Sequence, residues 1–241
     1  MSFFQNIIDA LNKTFIATGW WRYMTTGTQN TLILTSLSLC AGIVIGVVVA
    51  LVRTSWDRLA ANMRRGPGKL MFGAANAACE VYLTVIRGTP VLVQVSIIFF
   101  IFMTRTDQKM LAGVIAFGIN SGAYVAEIIR GGIMSIDIGQ TEAGRSLGFN
   151  YVQTMWYIIL PQAFKNILPS LANEFIALLK ETSVASFVGV TEIMRGANII
   201  VGLSYDAVAP YISAALIYLA LTMLFTQLVG VLERRLRNSD H

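Results

Sequence analysis

The sequence predicts an all-α integral membrane protein with five transmembrane helices, on three observations. Of 241 residues, 55% are hydrophobic and 13% charged, about half the charged fraction of an ordinary soluble domain. Residues 23–52, 88–104, 110–126 and 207–232 contain no Asp, Glu, Lys or Arg. A span needs about 20 mostly apolar residues rising 1.5 Å each, so the chain has room for about five or six. Other classes are excluded on composition. Cys40, Cys79 and the single terminal His241 leave no residues for a metal cluster or a disulfide framework. The net charge of +5 fits the basic bias of membrane topology, and no nucleic-acid motif accompanies it.

The elements follow in order. Phe3, Phe4, Ile7, Ile8, Leu11 and Phe15 recur at helical spacing, which predicts an amphipathic helix lying on the membrane surface; a frayed terminus is the alternative. Trp20, Trp21 and Tyr23 read as an interfacial aromatic belt, and the first 15 residues lack the basic start and continuous apolar run of a cleavable signal peptide. Residues 31–52 supply the first span. Its Gly42 and Gly46 form a GxxxG step, which either seats a second helix closely or is a chance pairing. The second span is expected over residues 88–104, extended backward through 80–87 as one long helix disturbed at Gly88, Thr89 and Pro90, because proline removes a backbone donor and disfavours helix before it. The third begins at 110–126, the fifth is 207–232, and between them 167–190 forms a less apolar fourth that carries Glu174, Lys180 and Glu181. The domain boundaries expected are an interfacial segment 1–27, a transmembrane domain 28–235 with a loop at about 134–166, and a tail 236–241.

Five spans place the two ends on opposite sides. One side collects eleven basic residues, including Arg53, Arg58, Arg64, Arg65, Arg145 and Arg234, and the other collects five, Lys13, Arg22, Arg105, Lys109 and Arg195. The richer side is the cytoplasmic one, which puts the N-terminus outside and the C-terminus inside.

The loop after the third span is polar but helical in composition, and long loops of this kind are usually functional. It contains Glu142, Ala143 and Gly144, then Gly148, Ile158, Leu160 and Pro161. These residues resemble the EAA motif of ABC-transporter permeases at every spacing: EAA, three residues, G, nine residues, I, one residue, LP. Gly144 departs from the family's usual Ala, which loosens a short helix by about 1 kcal/mol. Further stretches, RGTPVLVQ at 87–94, SGAYVAEIIRGGI at 121–133, LPQAF at 160–164 and ALLKETSVASFVGVTE at 177–192, are similar to those of polar amino-acid permeases of bacterial uptake systems. The resemblance implies the type I ABC importer fold in the bacterial inner membrane. It assigns the coupling to a cytoplasmic ATPase to Glu142, Ala143, Gly144, Arg145 and Gly148. It also implies the partners: an ABC ATPase dimer that binds ATP and Mg, a second permease of the same or a similar kind, and an extracytoplasmic amino-acid-binding protein. No cofactor is expected in this chain itself.

Two motifs compete with this reading. Residues 144–148, GRSLG, satisfy the GxSxG pattern of hydrolase nucleophile elbows, but that turn joins a strand to a helix and needs a histidine base. Gly68 and Lys69 are followed by Leu70, with Met63 where the first glycine of a phosphate-binding loop belongs, so ATP is expected to bind elsewhere. A secondary amino-acid carrier remains the alternative function; it would require a coupling-ion site of its own and no EAA spacing.

Charged residues at membrane depth cost at least about 2.5–3.5 kcal/mol and mark functional candidates. Glu174 and Glu181 are seven apart, so they differ by only about 20° around a helix axis while Lys180 points about 120° away from Glu174. One reading has the two carboxylates holding the ammonium or cationic side chain of a substrate, and Glu174 resembles members of the family that handle basic amino acids. The other has Glu174 solvated at the cytoplasmic mouth and Glu181 locked to Lys180 or Arg87. Arg87 is read as an anchor at the membrane boundary ahead of a gating role, and Glu127 and Arg130 as a local helix pair.

Overall fold

The computed structural model describes residues 18–61, 63–104 and 108–238, so the amphipathic helix expected between Phe3 and Phe15 lies outside the described residues. Among the described residues every regular element is helical. Helix α1 is Trp21–Leu59, a 39-residue rod, and α2 is Pro67–Gly88, started by a proline at its first position, where the missing N–H has no helical partner to lose. Thr89 is extended (φ −120°, ψ 146°). Helix α3, Val91–Ile97, runs into a π-helical turn, Ile98–Phe102. Helix α4 is Lys109–Met134, and α5 is the short Ile138–Ser146. Helix α6, Tyr151–Thr154, passes through a second π-helical turn, Met155–Ile159, into α7, Leu160–Glu181. A 3-10 stretch, Thr182–Val188, then leads to α8, Ile193–Ser204, and the chain ends in α9, Val208–Asn238.

Helices α1, α2, α4 and α9 are each long and apolar enough to cross a bilayer, and the pair Tyr151–Val188 and Ile193–Ser204, bent by 44°, makes a fifth span if counted as one. The second span therefore differs from the one expected. Pro67–Gly88 is sufficient by itself, and Val91–Phe102 is a separate shorter apolar helix. Pro90 holds Thr89 extended, which ends the helix instead of bending it. The start of α2 is hidden in the sequence because Ala74, Ala75, Ala77 and Ala78 add little hydropathy while favouring helix. The fourth span likewise belongs to a helical stretch, Tyr151–Val188, that begins well before 167, and it breaks at Gly189, whose φ of +82° is a left-handed conformation that glycine adopts at little cost.

The chain divides into two compact units. In the unit made of residues 18–38, Val91–Phe117 and Ile176–Gln227, Met24, Ile193, Ala197, Ile200 and Ala214 form the buried cluster, with Trp20, Ile217, Tyr218 and Leu221 against it. In the unit made of Leu39–Pro90, Gly118–Phe175 and residues 228–238, one cluster joins Val49, Leu83, Ala123 and Ala126. A second joins Ile133, Ile159, Ala163 and Ile167.

The GxxxG step of α1 is a helix contact. A Cβ on Gly42 would stand 3.1 Å from the Gly122 nitrogen and the Ser121 side chain. One on Gly46 would stand 2.5 Å from Val125 Cγ1 and 2.9 Å from the Ala126 nitrogen. Small residues on α1 thus let its backbone lie against α4. Tyr82 of α2 closes the same knot by donating to the Ile119 carbonyl of α4 at 2.6 Å.

Candidate functional site

The loop with the EAA-like spacing folds as α5, capped at both ends, and α6, capped at its start. Asp137 opens α5 by accepting from the Gly139 N–H at 2.7 Å. At the other end the Phe149 N–H donates to the Gly144 carbonyl at 3.1 Å and the Gly148 N–H to the Arg145 carbonyl at 3.0 Å. Gly148 itself has φ +84°. This pair of bonds around a left-handed glycine is the Schellman termination. Asn150 and Gln153 then form a reciprocal capping box, each N–H to side-chain oxygen distance being 2.9 Å, which starts α6. Further bonds fix the loop to its neighbours. Gln162 Nε2 donates to Gln140 Oε1 at 3.2 Å, and Asn166 Nδ2 donates to Ser135 Oγ at 2.9 Å. Both ends of α5 and the start of α6 are thereby satisfied within the chain.

The five residues assigned to coupling divide between two faces. Glu142, Ala143, Arg145 and Gly148 are exposed, whereas Gly144 is buried. A Cβ there would lie 2.9 Å from Ile158 Cδ1 and 2.9 Å from Thr154 Cγ2. The departure from Ala is therefore a packing requirement: α5 seats against the helix that follows it, and Gly144 serves its own chain before any partner. Around the exposed residues stand large apolar side chains, Ile138 (74% exposed), Leu147 (75%), Val152 (70%) and Trp156 (67%). Exposed apolar patches of this kind mark surfaces that meet a protein or a membrane. Within residues 144–148 the Ser146 hydroxyl donates to the Glu142 carbonyl at 3.0 Å, so this GxSxG segment is a helix end and not a strand-to-helix elbow.

Glu174 is half-buried on α7 and accepts from Ser121 Oγ of α4 at 2.8 Å. Glu181, the last residue of α7, is also half-buried, and the charge acting on its carboxylate is that of the adjacent Lys180. The Arg87 guanidinium pairs with Glu127 at 3.7 Å and lies 5.8 Å over the Tyr124 ring. Glu127 also faces Arg130 Nε at 3.8 Å, and Arg130 reaches Asp57 at 3.7 Å. This ladder ties α2, α4 and α1 together and places Arg87 among the structural anchors.

Sequence reasoning passed over Glu192. It is fully buried and caps α8, accepting from the Met194 N–H at 2.7 Å and the Arg195 N–H at 2.6 Å. Tyr218 of α9 donates to the same carboxylate at 2.8 Å, and the Ile193 N–H donates to Thr31 Oγ1 of α1 at 3.3 Å. The break in the fourth span is thereby held by side chains of two other helices. The signal available in the sequence was an acid standing directly before an apolar helical repeat, where a carboxylate favours the positive helix end.

Residues 68–238 match the family described as binding-protein-dependent transport system inner membrane component. The L-cystine transport system permease protein TcyB of Bacillus subtilis (strain 168) is 38% identical over 94% of this chain and 92% of its own length. The glutamine transport system permease protein GlnP of Escherichia coli (strain K12) is 36% identical over 88% and 91%. The arginine transport system permease protein ArtQ of Bacillus subtilis is 35% identical over 89% and 92%. A crystal structure of an amino acid ABC transporter with histidines superposes with a TM-score of 0.80 at 38% identity, covering 92% of this chain and 97% of that one. The inward-facing MetNI methionine ABC transporter shares the fold, with a TM-score of 0.73 at 19% identity.

Proposed function

Because the chain belongs to the family of binding-protein-dependent transport system inner membrane components, is a permease of the amino-acid ABC type and has the type I importer fold, we propose that it takes up a polar amino acid by pairing with a second permease around one pathway. A cytoplasmic ABC ATPase dimer supplies the energy and an extracytoplasmic binding protein delivers the substrate. The observation that carries this reading is the capped loop, with Glu142, Ala143 and Arg145 exposed among apolar side chains. When the ATPase dimer closes on ATP, the capped loop passes the displacement through α7 and α4 to the spanning helices. The bound nucleotide and Mg belong to the ATPase; this chain contributes mechanical coupling and the pathway, with no covalent chemistry of its own. Its basic loop residues face the cytoplasm and its N-terminus lies outside, in keeping with their eleven-to-five distribution.

We further propose that the substrate's ammonium or cationic side chain is met by Glu181, whose carboxylate is half-buried beside Lys180. Glu174, on the same helical stripe, is the second acid, oriented by Ser121. Substrates with a second positive charge are favoured. The test is to purify the chain with its ATPase and measure ATP turnover while adding single amino acids with candidate binding proteins. Stimulation by one cationic or polar amino acid supports the reading. Turnover that responds to none of them with any binding protein contradicts it.

A further inference from the structure

The fourth span loses its helical bonding between Gly189 and Glu192, and an interrupted helix is soft where it is interrupted. Here α1 takes up the break. Asn30 Nδ2 donates to the Thr191 carbonyl at 2.6 Å, and the Ile193 N–H donates to the fully buried Thr31 Oγ1 at 3.3 Å. The four N–H groups that open a helix lack partners within it, and all four at the start of α8 find one: Glu192 at the Val190 carbonyl (3.0 Å), Ile193 at Thr31, and Met194 and Arg195 at the Glu192 carboxylate. The backbones also touch. A Cβ on Gly27 would stand 2.8 Å from the Glu192 carbonyl oxygen and 2.9 Å from Ile193 Cα, and one on Gly196 would stand 2.8 Å from the Tyr23 carbonyl oxygen. Glycines on both helices permit this approach, and residues 23, 27, 30 and 31 recur at the spacing of one helix face.

The other side of the break is wound differently. Thr182–Val188 is a 3-10 helix, whose hydrogen bonds are poorer than those of an α-helix and which often marks a hinge where it interrupts one. It ends at Gly189, where the Gly189 and Val190 N–H groups turn back to the Ser186 and Ala185 carbonyls at 3.0 and 3.1 Å. These bonds stay local to the chain, whereas those from Thr191 and Ile193 reach α1.

We propose that Asn30 and Thr31 are positioning residues for transport: by holding the Thr191 carbonyl and the Ile193 N–H they make the break a fixed pivot about which α7 turns. Resting on the function proposed above, the pivot gives a push along α7 from the coupling loop something to work against. With the break released, the 44° bend changes instead, and ATP is hydrolysed without moving amino acid.

Two measurements on the full chain with its ATPase and binding protein test the pivot. In proteoliposomes, with radiolabelled L-arginine and L-glutamine as probes, the ATP hydrolysed per amino acid taken up rises by about fivefold in Asn30→Ala and in Thr31→Val, the population shift that one lost hydrogen bond produces, and Thr31→Ser restores it. Thr28→Val removes a hydroxyl that donates within α1 to the Met24 carbonyl at 2.8 Å; it lowers the thermal midpoint and leaves that ratio unchanged. Asn30 is only half-buried, so Asn30→Ala keeps the test valid if Thr31→Val misfolds. Spin labels at the exposed positions Thr26→Cys and Leu203→Cys, with Cys40→Ser and Cys79→Ser, read the pivot itself. The distance between them is the same with and without ATP and vanadate, while that from Leu203→Cys to Phe164→Cys, near the start of α7, changes. A ratio unchanged in both Asn30→Ala and Thr31→Val, or raised equally by Thr28→Val, overturns the pivot. So does a distance from Thr26→Cys to Leu203→Cys that shifts with nucleotide, or one from Leu203→Cys to Phe164→Cys that does not. Uptake that needs no ATP removes the function proposed above and the pivot with it.

Discussion

Replacing Gly148 by alanine isolates the turn that ends the coupling helix. Gly148 has φ +84°, and a Cβ built on it meets nothing within 4 Å, so the substitution adds no clash and acts only through the backbone. An L-residue held in the left-handed region costs roughly 1–2 kcal/mol, which lowers the population of the intact turn relative to frayed forms by a factor of about 5–30. The two bonds at stake are Phe149 N–H to the Gly144 carbonyl and Gly148 N–H to the Arg145 carbonyl. If α5 must be rigid to be gripped, affinity for the ATPase falls by up to that factor, in proportion to the intact fraction lost, while the thermal midpoint of the membrane bundle hardly moves because the residue is exposed. Asparagine tolerates this conformation better than alanine, so Gly148→Asn ranks between wild type and Gly148→Ala. The assay is ATPase binding to the immobilised permease, with ATP-driven uptake as the functional readout. Wild-type binding and uptake in Gly148→Ala, or an asparagine variant as impaired as the alanine one, would refute the reasoning.

Other substitutions address the remaining contacts. Gly46→Val forces α1 away from Val125 and Ala126, whose nearest atoms already stand 2.5 and 2.9 Å from where a Cβ on residue 46 would lie; overpacking of this kind costs roughly 1–3 kcal/mol, read as a lower thermal midpoint that Val125→Ala restores in part. Tyr218→Phe strips one of three donors from the buried Glu192 and destabilises the bent span by about 1–3 kcal/mol, which hydrogen exchange at α8 detects before global unfolding. Glu181→Gln abolishes uptake of cationic amino acids while leaving ATPase binding intact. Glu174→Gln, which keeps an oxygen for Ser121, weakens the same uptake, and unchanged transport of cationic amino acids in Glu174→Gln removes that residue from the substrate site.

Much of the fold is legible in the sequence for identifiable reasons. The spacing from Glu142 to Pro161 is a chemical pattern that survives without coordinates, and the uncharged runs 23–52, 110–126 and 207–232 mark three of the spans, whereas the run 88–104 does not. What escapes is decided by local backbone geometry and by partners far away in sequence. Pro90 reads as a disturbance within one helix and is the end of it, because the residue before it is extended. Glu192 lies beyond the charges weighed in the fourth span, and its role depends on Tyr218, 26 positions later, a relation that periodicity does not express. Gly144 reads as a weakness of propensity, since the Thr154 and Ile158 side chains that require it meet it only once the loop has folded back.

Accumulation of amino acid by proteoliposomes tests the central claim most directly. With permease, ATPase and binding protein present, the account predicts uptake that requires internal ATP, persists when protonophores and sodium ionophores collapse ion gradients, and vanishes when the surface around Glu142 and Arg145 is blocked. Uptake by the permease without the ATPase, driven by an ion gradient and indifferent to that surface, would contradict it.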